Sequence, residues 1–165
     1  MALLHEGDRF PDLTVSLLNG ETVTVPNVFD GRYGVVLFSR GASCRRCVEQ
    51  LRTFQRSMVR FEKAAIGVVA LSTDDEAATA VLVSKYGLTY PVGHSADPAS
   101  IADATGAFVS IDPPQLQSTG FVTDREGRVV VSLYSCGSIG QLLPDDVLDL
   151  VRDARAARGG DVELA

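Results

Sequence analysis

Two continuous apolar runs dominate the pattern along the chain, at Gly34–Phe38 and Ile66–Leu71. Runs of this length without polar interruption are typical of strands buried on both faces of a sheet. Between them, apolar residues recur at helical spacing and form one stripe, made up of Cys47, Leu51, Phe54, Met58 and Phe61. The pattern therefore predicts two adjacent parallel strands that are joined by a helix.

Further elements are predicted on either side of this unit. Residues 13–17 and 22–25 alternate around Asn19-Gly20, which predicts an N-terminal β-hairpin. Helices are expected from a capping box at residues 73–76, from Asp97-Pro98, and from Pro144. A second hairpin is predicted from residues 120–122 and 129–131, which flank a turn at residues 124–127. This order predicts an α/β fold, a three-layer sandwich with an N-terminal β-hairpin.

Length, composition and charge limit the classes of function. The chain has 165 residues, of which 45% are hydrophobic and 22% charged, as in ordinary globular proteins. We expect one domain over residues 1–158 and a disordered tail over residues 159–165. The net charge of −6 disfavours nucleic acid or an anionic membrane as a partner. No apolar segment reaches the length of a membrane span, and the first six residues are too short and acidic for a signal peptide. We therefore expect a cytoplasmic protein.

The candidate chemistry lies in Cys44-Arg45-Arg46-Cys47, between the first apolar run and the predicted helix. With only one further cysteine, at position 136, the pair is not half of a four-thiolate zinc site, and the two histidines lack zinc-finger spacing. In a reducing compartment, C-x-x-C indicates a redox-active dithiol before a structural disulfide. Cys136 is expected to be a packed core thiol at the end of a strand.

The start of the helix should activate a thiol. Ser43 is the expected N-cap, which would put Cys44 at the first helical position and Cys47 near the fourth. Unpaired N–H groups and the charges of Arg40, Arg45 and Arg46 should lower a cysteine pKa and attract anionic substrates. The alternatives remain that the two cysteines are buried small hydrophobes and that the arginines are merely solvated.

Several segments resemble the alkyl hydroperoxide reductase/thiol-specific antioxidant (AhpC/TSA) family, the peroxiredoxins and redoxins of the thioredoxin-like superfamily. They are residues 7–13, 18–21, 38–47, 90–92, 97–98 and 118–128. The segment 38–47, Phe38-Ser39-Arg40-Gly41-Ala42-Ser43-Cys44-Arg45-Arg46-Cys47, is similar to the version of the motif in peroxiredoxin-like proteins that has arginine-glycine followed by C-x-x-C. The resemblance covers nearly the whole chain. It implies a thioredoxin-like fold and a thiol-dependent antioxidant enzyme.

Two departures from the peroxiredoxin pattern affect the site. In the motif P-x-x-x-T-x-x-C, Arg40 stands at the proline, Cys44 at the threonine and Cys47 at the peroxidatic cysteine. The family's active-site arginine, or the thioredoxin cis-proline, should fall near Ser118, and neither is present. On the resemblance alone, Ser118 and Thr119 could line the site opposite the dithiol.

The resulting hypothesis is a peroxiredoxin-like thiol peroxidase that reduces hydroperoxides through a redox-active Cys44–Cys47 disulfide. A thioredoxin- or glutathione-type thiol would regenerate it, and no metal or organic cofactor is expected. The motif makes Cys47 the attacking thiol, whereas helix geometry favours Cys44, with Cys47 resolving. The alternatives are a protein-disulfide reductase without peroxidase activity and a non-catalytic redox sensor. A homodimer is compatible with either enzyme.

Overall fold

The computed structural model describes residues 2–159, and its centre is a five-stranded mixed sheet. The strands are β1 Leu13–Ser16, β2 Thr22–Val25, β3 Tyr33–Phe38, β4 Ile66–Leu71, β5 Val92–Gly93, β6 Val109–Ile111, β7 Pro114–Leu116, β8 Thr119–Thr123 and β9 Val129–Tyr134. The α-helices are α1 Arg45–Arg56, α2 Met58–Lys63, α3 Glu76–Tyr86, α4 Pro98–Thr105 and α5 Pro144–Arg158, and a 3-10 turn covers Asn27–Phe29. The central sheet has the order β5-β4-β3-β8-β9, while β1-β2 and β6-β7 form separate pairs.

The two apolar runs are the central strands, as predicted. β3 and β4 pair in parallel, with Tyr33 opposite Ile66 and Phe38 opposite Leu71, and every residue of both strands is buried. On the other side of β3, strand β8 runs antiparallel to it. Because β3 and β4 are parallel, their carboxyl ends meet at one edge of the sheet, where open α/β sheets usually carry their sites.

Alternation along β3 divides the core into two clusters. Val35 and Leu37 pack with side chains of α1, α2, α3 and α5 on one face of the sheet. Val36 and Phe38 pack with α4 and the β1–β2 hairpin on the other face. The sheet thus lies between two covering layers, which confirms the predicted α/β three-layer sandwich with its N-terminal β-hairpin.

The long helical stripe is divided at Ser57. Ser57 leaves helical geometry with φ −101° and ψ 2°, and its hydroxyl donates to the Thr53 carbonyl at 3.2 Å. Such back-bonding competes with the helix and bends it. The apolar face nevertheless continues, since the rings of Phe54 and Phe61 meet edge to face at 5.5 Å. The stripe was predicted correctly, and the single helix was wrong.

Two smaller details differ from the prediction. Helix α3 is capped by Asp75, whose carboxylate accepts the Ala78 N–H at 2.8 Å, so the cap is not Thr73. The β6–β7 hairpin was not predicted, because Pro113 and Pro114 interrupt any strand pattern there. Of the predicted tail, Gly159 ends α5, and residues 160–165 lie outside the described part.

Candidate active site

A short loop at the carboxyl end of β3 carries the chain into α1. The Ser39 N–H donates to the Leu71 carbonyl at 2.9 Å, and the Ser39 hydroxyl accepts the Gly41 N–H at 3.0 Å. The Ala42 N–H donates to the Asp74 carboxylate at 2.7 Å. Gly41 has φ +99°, and a Cβ there would lie 2.5 Å from an oxygen of Asp74. The position accepts only glycine without rearrangement, so the loop geometry that precedes the cysteines is closely defined.

Cys44, and not Ser43, is the N-cap of α1. Cys44 has extended geometry at φ −94° and ψ 105°, and its Sγ accepts the Cys47 N–H at 3.3 Å. Arg45 is therefore the first helical residue, and Ser43 is an exposed loop residue. The prediction that placed Cys44 inside the helix was wrong, because the sulfur itself satisfies the free N–H that the serine was expected to satisfy. The arrangement directs a helix N–H at the Cys44 sulfur, where it can stabilise negative charge.

The two thiols differ in access. Both are free, with the Cys44 residue 9% exposed and Cys47 fully buried. Cys47 lies on the same helix face as Leu51 and Phe54, which are also buried. The geometric expectation that Cys44 is the more accessible sulfur is consistent with this arrangement.

Polar groups surround the buried Cys47 sulfur. The Gln141 side-chain amide reaches it at 3.6 Å. Burial, followed by the hydrogen bond with Cys44, raises the pKa of Cys47, although the Arg40 backbone and the Ser39 hydroxyl act in the opposite direction. Cys47 is therefore not a thiol whose pKa the helix start lowers, because loss of hydration outweighs its hydrogen bonds.

A pocket of about 980 Å³ opens beside Cys44 and is rich in arginine. Its lining includes four arginines, Arg40, Arg45, Arg46 and Arg52, together with Cys44, Glu49, Tyr86 and Ser138. The guanidinium of Arg52 lies 4.9 Å from the centre of the Tyr86 ring. Within residues 2–159, the Arg40 Nε atom is buried without a hydrogen-bond partner. Arg45 and Arg46 are exposed, yet they are part of the pocket wall and not dispersed over the surface.

Ser118 and Thr119 lie at the same edge of the sheet but outside the arginine pocket. Thr119 pairs with Phe38 at the end of β3, and both Ser118 and Thr119 are buried. The Thr119 hydroxyl donates to the Gln117 carbonyl at 3.0 Å, and the Ser118 carbonyl accepts from the Ser135 N–H at 3.1 Å. Their role in catalysis stays a prediction.

The segment between β9 and α5 contributes residues that sequence reasoning missed. It places Ser138 in the pocket wall and Gln141 beside Cys47. Cys136 lies in the same segment and is exposed, so its prediction as a packed core thiol was wrong. It follows the last residue of β9 by two positions, where the chain has left the sheet. Gln141 is remote from the C-x-x-C motif in sequence, and no local signal pointed to it.

Two classes of site find no support in the described residues. Among residues 2–159, no helix is long and apolar enough to cross a membrane. In the same range, no group of three or more histidine, cysteine or carboxylate side chains is arranged to hold a metal ion.

Comparisons of the sequence with known proteins identify the family to which the chain belongs. Residues 6–132 match the sequence profile of the AhpC/TSA family. A Mycobacterium tuberculosis protein named as a candidate peroxiredoxin is 28% identical over 145 residues, which cover 84% of this chain and 90% of that protein. A peroxiredoxin of Methanothermobacter thermautotrophicus is 27% identical over 164 residues, covering 95% and 75% of the two chains.

Solved structures agree on the fold. The AhpC structure of Mycobacterium bovis has a TM-score of 0.78 at 20% identity and covers 95% of this chain and 96% of its own. The predicted peroxiredoxin-like, thioredoxin-like fold is confirmed. The family match and the peroxiredoxin relatives support a thiol-dependent peroxidase over the disulfide reductase. With its profile match extending over most of its length, the chain belongs to the AhpC/TSA family.

Proposed function

We propose that the protein reduces hydroperoxides through a dithiol/disulfide cycle of Cys44 and Cys47. The observation that carries the proposal is that one sulfur opens on a pocket at the start of α1, with the second sulfur buried one helical turn away. Membership of the AhpC/TSA family supplies the class of reaction.

The cycle has three steps. A thiolate attacks the terminal peroxide oxygen, the O–O bond breaks, a sulfenic acid forms, and the leaving alkoxide (or hydroxide) takes up a proton to give an alcohol (or water). The second thiol then attacks the sulfenic sulfur, water leaves, and a disulfide forms. Two external thiols reduce this disulfide and become a disulfide themselves. Cys44 is the proposed attacking thiol, because it opens on the pocket and accepts the Cys47 N–H. Cys47 is the proposed resolving thiol.

Arginines supply the proposed charge stabilisation. Arg40 occupies the family's proline position and lines the pocket with an unsatisfied Nε–H within the described chain. Arg45 is beside the reacting sulfur in sequence and also lines the pocket. Either guanidinium could stabilise the negative charge that develops on the leaving oxygen, the task of preorganised donors in general.

The electrons come from outside the chain in this proposal. A thioredoxin- or glutathione-type thiol regenerates the enzyme, without a metal or an organic cofactor. We further propose a cytoplasmic location, where such thiols are kept reduced, and assembly as a homodimer, which size-exclusion chromatography with light scattering would test.

Single cysteine variants test the assignment. After a peroxide pulse, Cys47→Ser should accumulate a sulfenic acid at Cys44 that a dimedone-type probe traps, whereas Cys44→Ser should trap none. A sulfenic acid on Cys47 in the Cys44→Ser variant would reverse the two roles. No sulfenic acid on either variant, with rapid reduction of a protein disulfide by the wild type, would replace the peroxidase with a disulfide reductase.

A further inference from the structure

The reductant of the proposed disulfide has only one sulfur that it can approach. Cys47 is fully buried, while Cys44 lines the 980 Å³ pocket. Exchange requires an external thiolate to reach the sulfur that it attacks. Whichever cysteine reacts first with peroxide, the reducing thiol must therefore enter through the pocket and attack Cys44.

The pocket is strongly cationic on a chain of net charge −6. Among the described residues, its lining has four arginines against the single carboxylate of Glu49. Glu49 is already held by Arg56 at 2.9 Å and by Arg52 at 3.6 Å. Within residues 2–159, no carboxylate lies within ion-pair distance of Arg45 or Arg46. These two charges remain available to a ligand.

The volume of the pocket is suited to a small molecule. Cys44 is only 9% exposed, so a reducing thiol reaches its sulfur through the pocket. The volume of about 980 Å³ is within the range of small-molecule sites and is much larger than a hydroperoxide group needs. The volume is sufficient for a thiol of roughly tripeptide size.

We propose that the arginine pocket (Arg40, Arg45, Arg46 and Arg52 around Cys44) admits a carboxylate-bearing low-molecular-weight thiol that reduces the Cys44–Cys47 disulfide. This inference rests on the proposed function for the existence of that disulfide. The thiolate RS⁻ attacks the Cys44 sulfur, the S–S bond breaks, and Cys47 leaves with the electron pair and takes up a proton. A second RS⁻ attacks the mixed disulfide at the sulfur of R, releasing RSSR and the Cys44 thiolate.

Burial raises the pKa of Cys47 and so slows its departure as the leaving sulfur, and three nearby groups partly offset that cost. The Gln141 amide lies 3.6 Å from the sulfur, and the Arg40 backbone and Ser39 hydroxyl also interact with it. All three can donate to negative charge as the S–S bond breaks.

Reduction of the isolated disulfide by thiols of different charge tests the inference. The protein is oxidised with diamide, the Cys44–Cys47 bond is verified by peptide mapping, and single-turnover reduction is followed with glutathione, 2-mercaptoethanol, cysteamine and reduced thioredoxin. Rates are normalised to the thiolate fraction of each reagent. The expected order is glutathione, then 2-mercaptoethanol, then cysteamine, with about a tenfold advantage for the anionic thiol over the cationic one.

A charge variant and a matched control complete the test. In Arg45→Gln/Arg46→Gln, the glutathione rate should fall about tenfold and the cysteamine rate should fall much less. Arg152→Gln, an exposed arginine of α5 outside the pocket lining, should leave all rates unchanged. Equal losses for glutathione and cysteamine would overturn the inference. The inference would also be overturned, in favour of a protein reductant, if thioredoxin reduced the disulfide far faster than glutathione and at the same rate in the double variant as in the wild type.

The test separates this inference from the proposed peroxidase. Diamide makes the disulfide without peroxide, so charge-selective reduction would support the inference even in a protein that consumes no peroxide. If diamide produces no Cys44–Cys47 bond, the inference is overturned directly.

Discussion

Replacing Gly41 with alanine should disturb the loop that positions Cys44. The residue has φ +99°, and the new Cβ would lie 2.5 Å from an Asp74 carboxylate oxygen. Backbone strain of this kind costs about 1–3 kcal/mol. Moving Asp74 away also weakens its 2.7 Å bond from the Ala42 N–H, an exposed charged hydrogen bond worth about 1 kcal/mol. We expect Gly41→Ala to lower the free energy of unfolding by about 2–4 kcal/mol.

A double-mutant cycle separates the backbone strain at position 41 from the conflict between the new Cβ and the Asp74 side chain. Asp74→Ala removes the steric conflict as well as the hydrogen bond, so Gly41→Ala should cost about 1 kcal/mol less in that background. Denaturant unfolding of the wild type, both single variants and the double variant gives these values. Because the loop carries Arg40 and Cys44, peroxide consumption by Gly41→Ala should also fall at least about tenfold. Wild-type stability together with a wild-type rate in Gly41→Ala would refute the role given to this loop.

Three further predictions concern the thiols and their neighbours. Cys136→Ser should keep peroxide consumption within about twofold of wild type, because Cys136 is exposed and outside the pocket lining; a loss of turnover would make Cys136 the resolving thiol. Gln141→Leu should slow reduction of the disulfide about fivefold, the equivalent of roughly 1 kcal/mol for one hydrogen bond to the leaving sulfur; an unchanged single-turnover rate would remove that donor from the mechanism. In Cys44→Ser, burial should still hold the pKa of Cys47 above its ordinary value of 9.0. In the variant that also carries Cys136→Ser, thiolate absorbance should then stay low below pH 9, since a raised pKa leaves Cys47 protonated there, whereas a full thiolate signal at pH 8 would contradict the burial argument.

The fold could be predicted because its signals are local. The apolar runs at Gly34–Phe38 and Ile66–Leu71 have the length and the β-branched residues of buried strands, and the spacing of the stripe between them predicts a helix packed on the sheet. What sequence could not supply was the exact start of α1. Serine is the usual N-cap, and only the structure shows that the Cys44 sulfur takes that position.

The candidate site was predicted only in part, because most of its surroundings come from distant segments. The motif located Cys44, and the adjacent arginines pointed to a cationic site. Tyr86, at the end of α3, and Gln141, before α5, reach the site through folding, and no spacing rule connects them to the motif. The raised pKa of Cys47 could not be predicted from the motif for the same reason, since burial is a property of the packed molecule.

The central claim, a Cys44–Cys47 dithiol/disulfide cycle, is tested most directly by mapping the thiols after one equivalent of hydroperoxide. The reduced protein is treated, free thiols are alkylated, and the digest is analysed by mass spectrometry. The account predicts a peptide linked through Cys44 and Cys47, with Cys136 alkylated. A dominant product linked through Cys136, or an oxidised Cys47 beside a free Cys44, would contradict it.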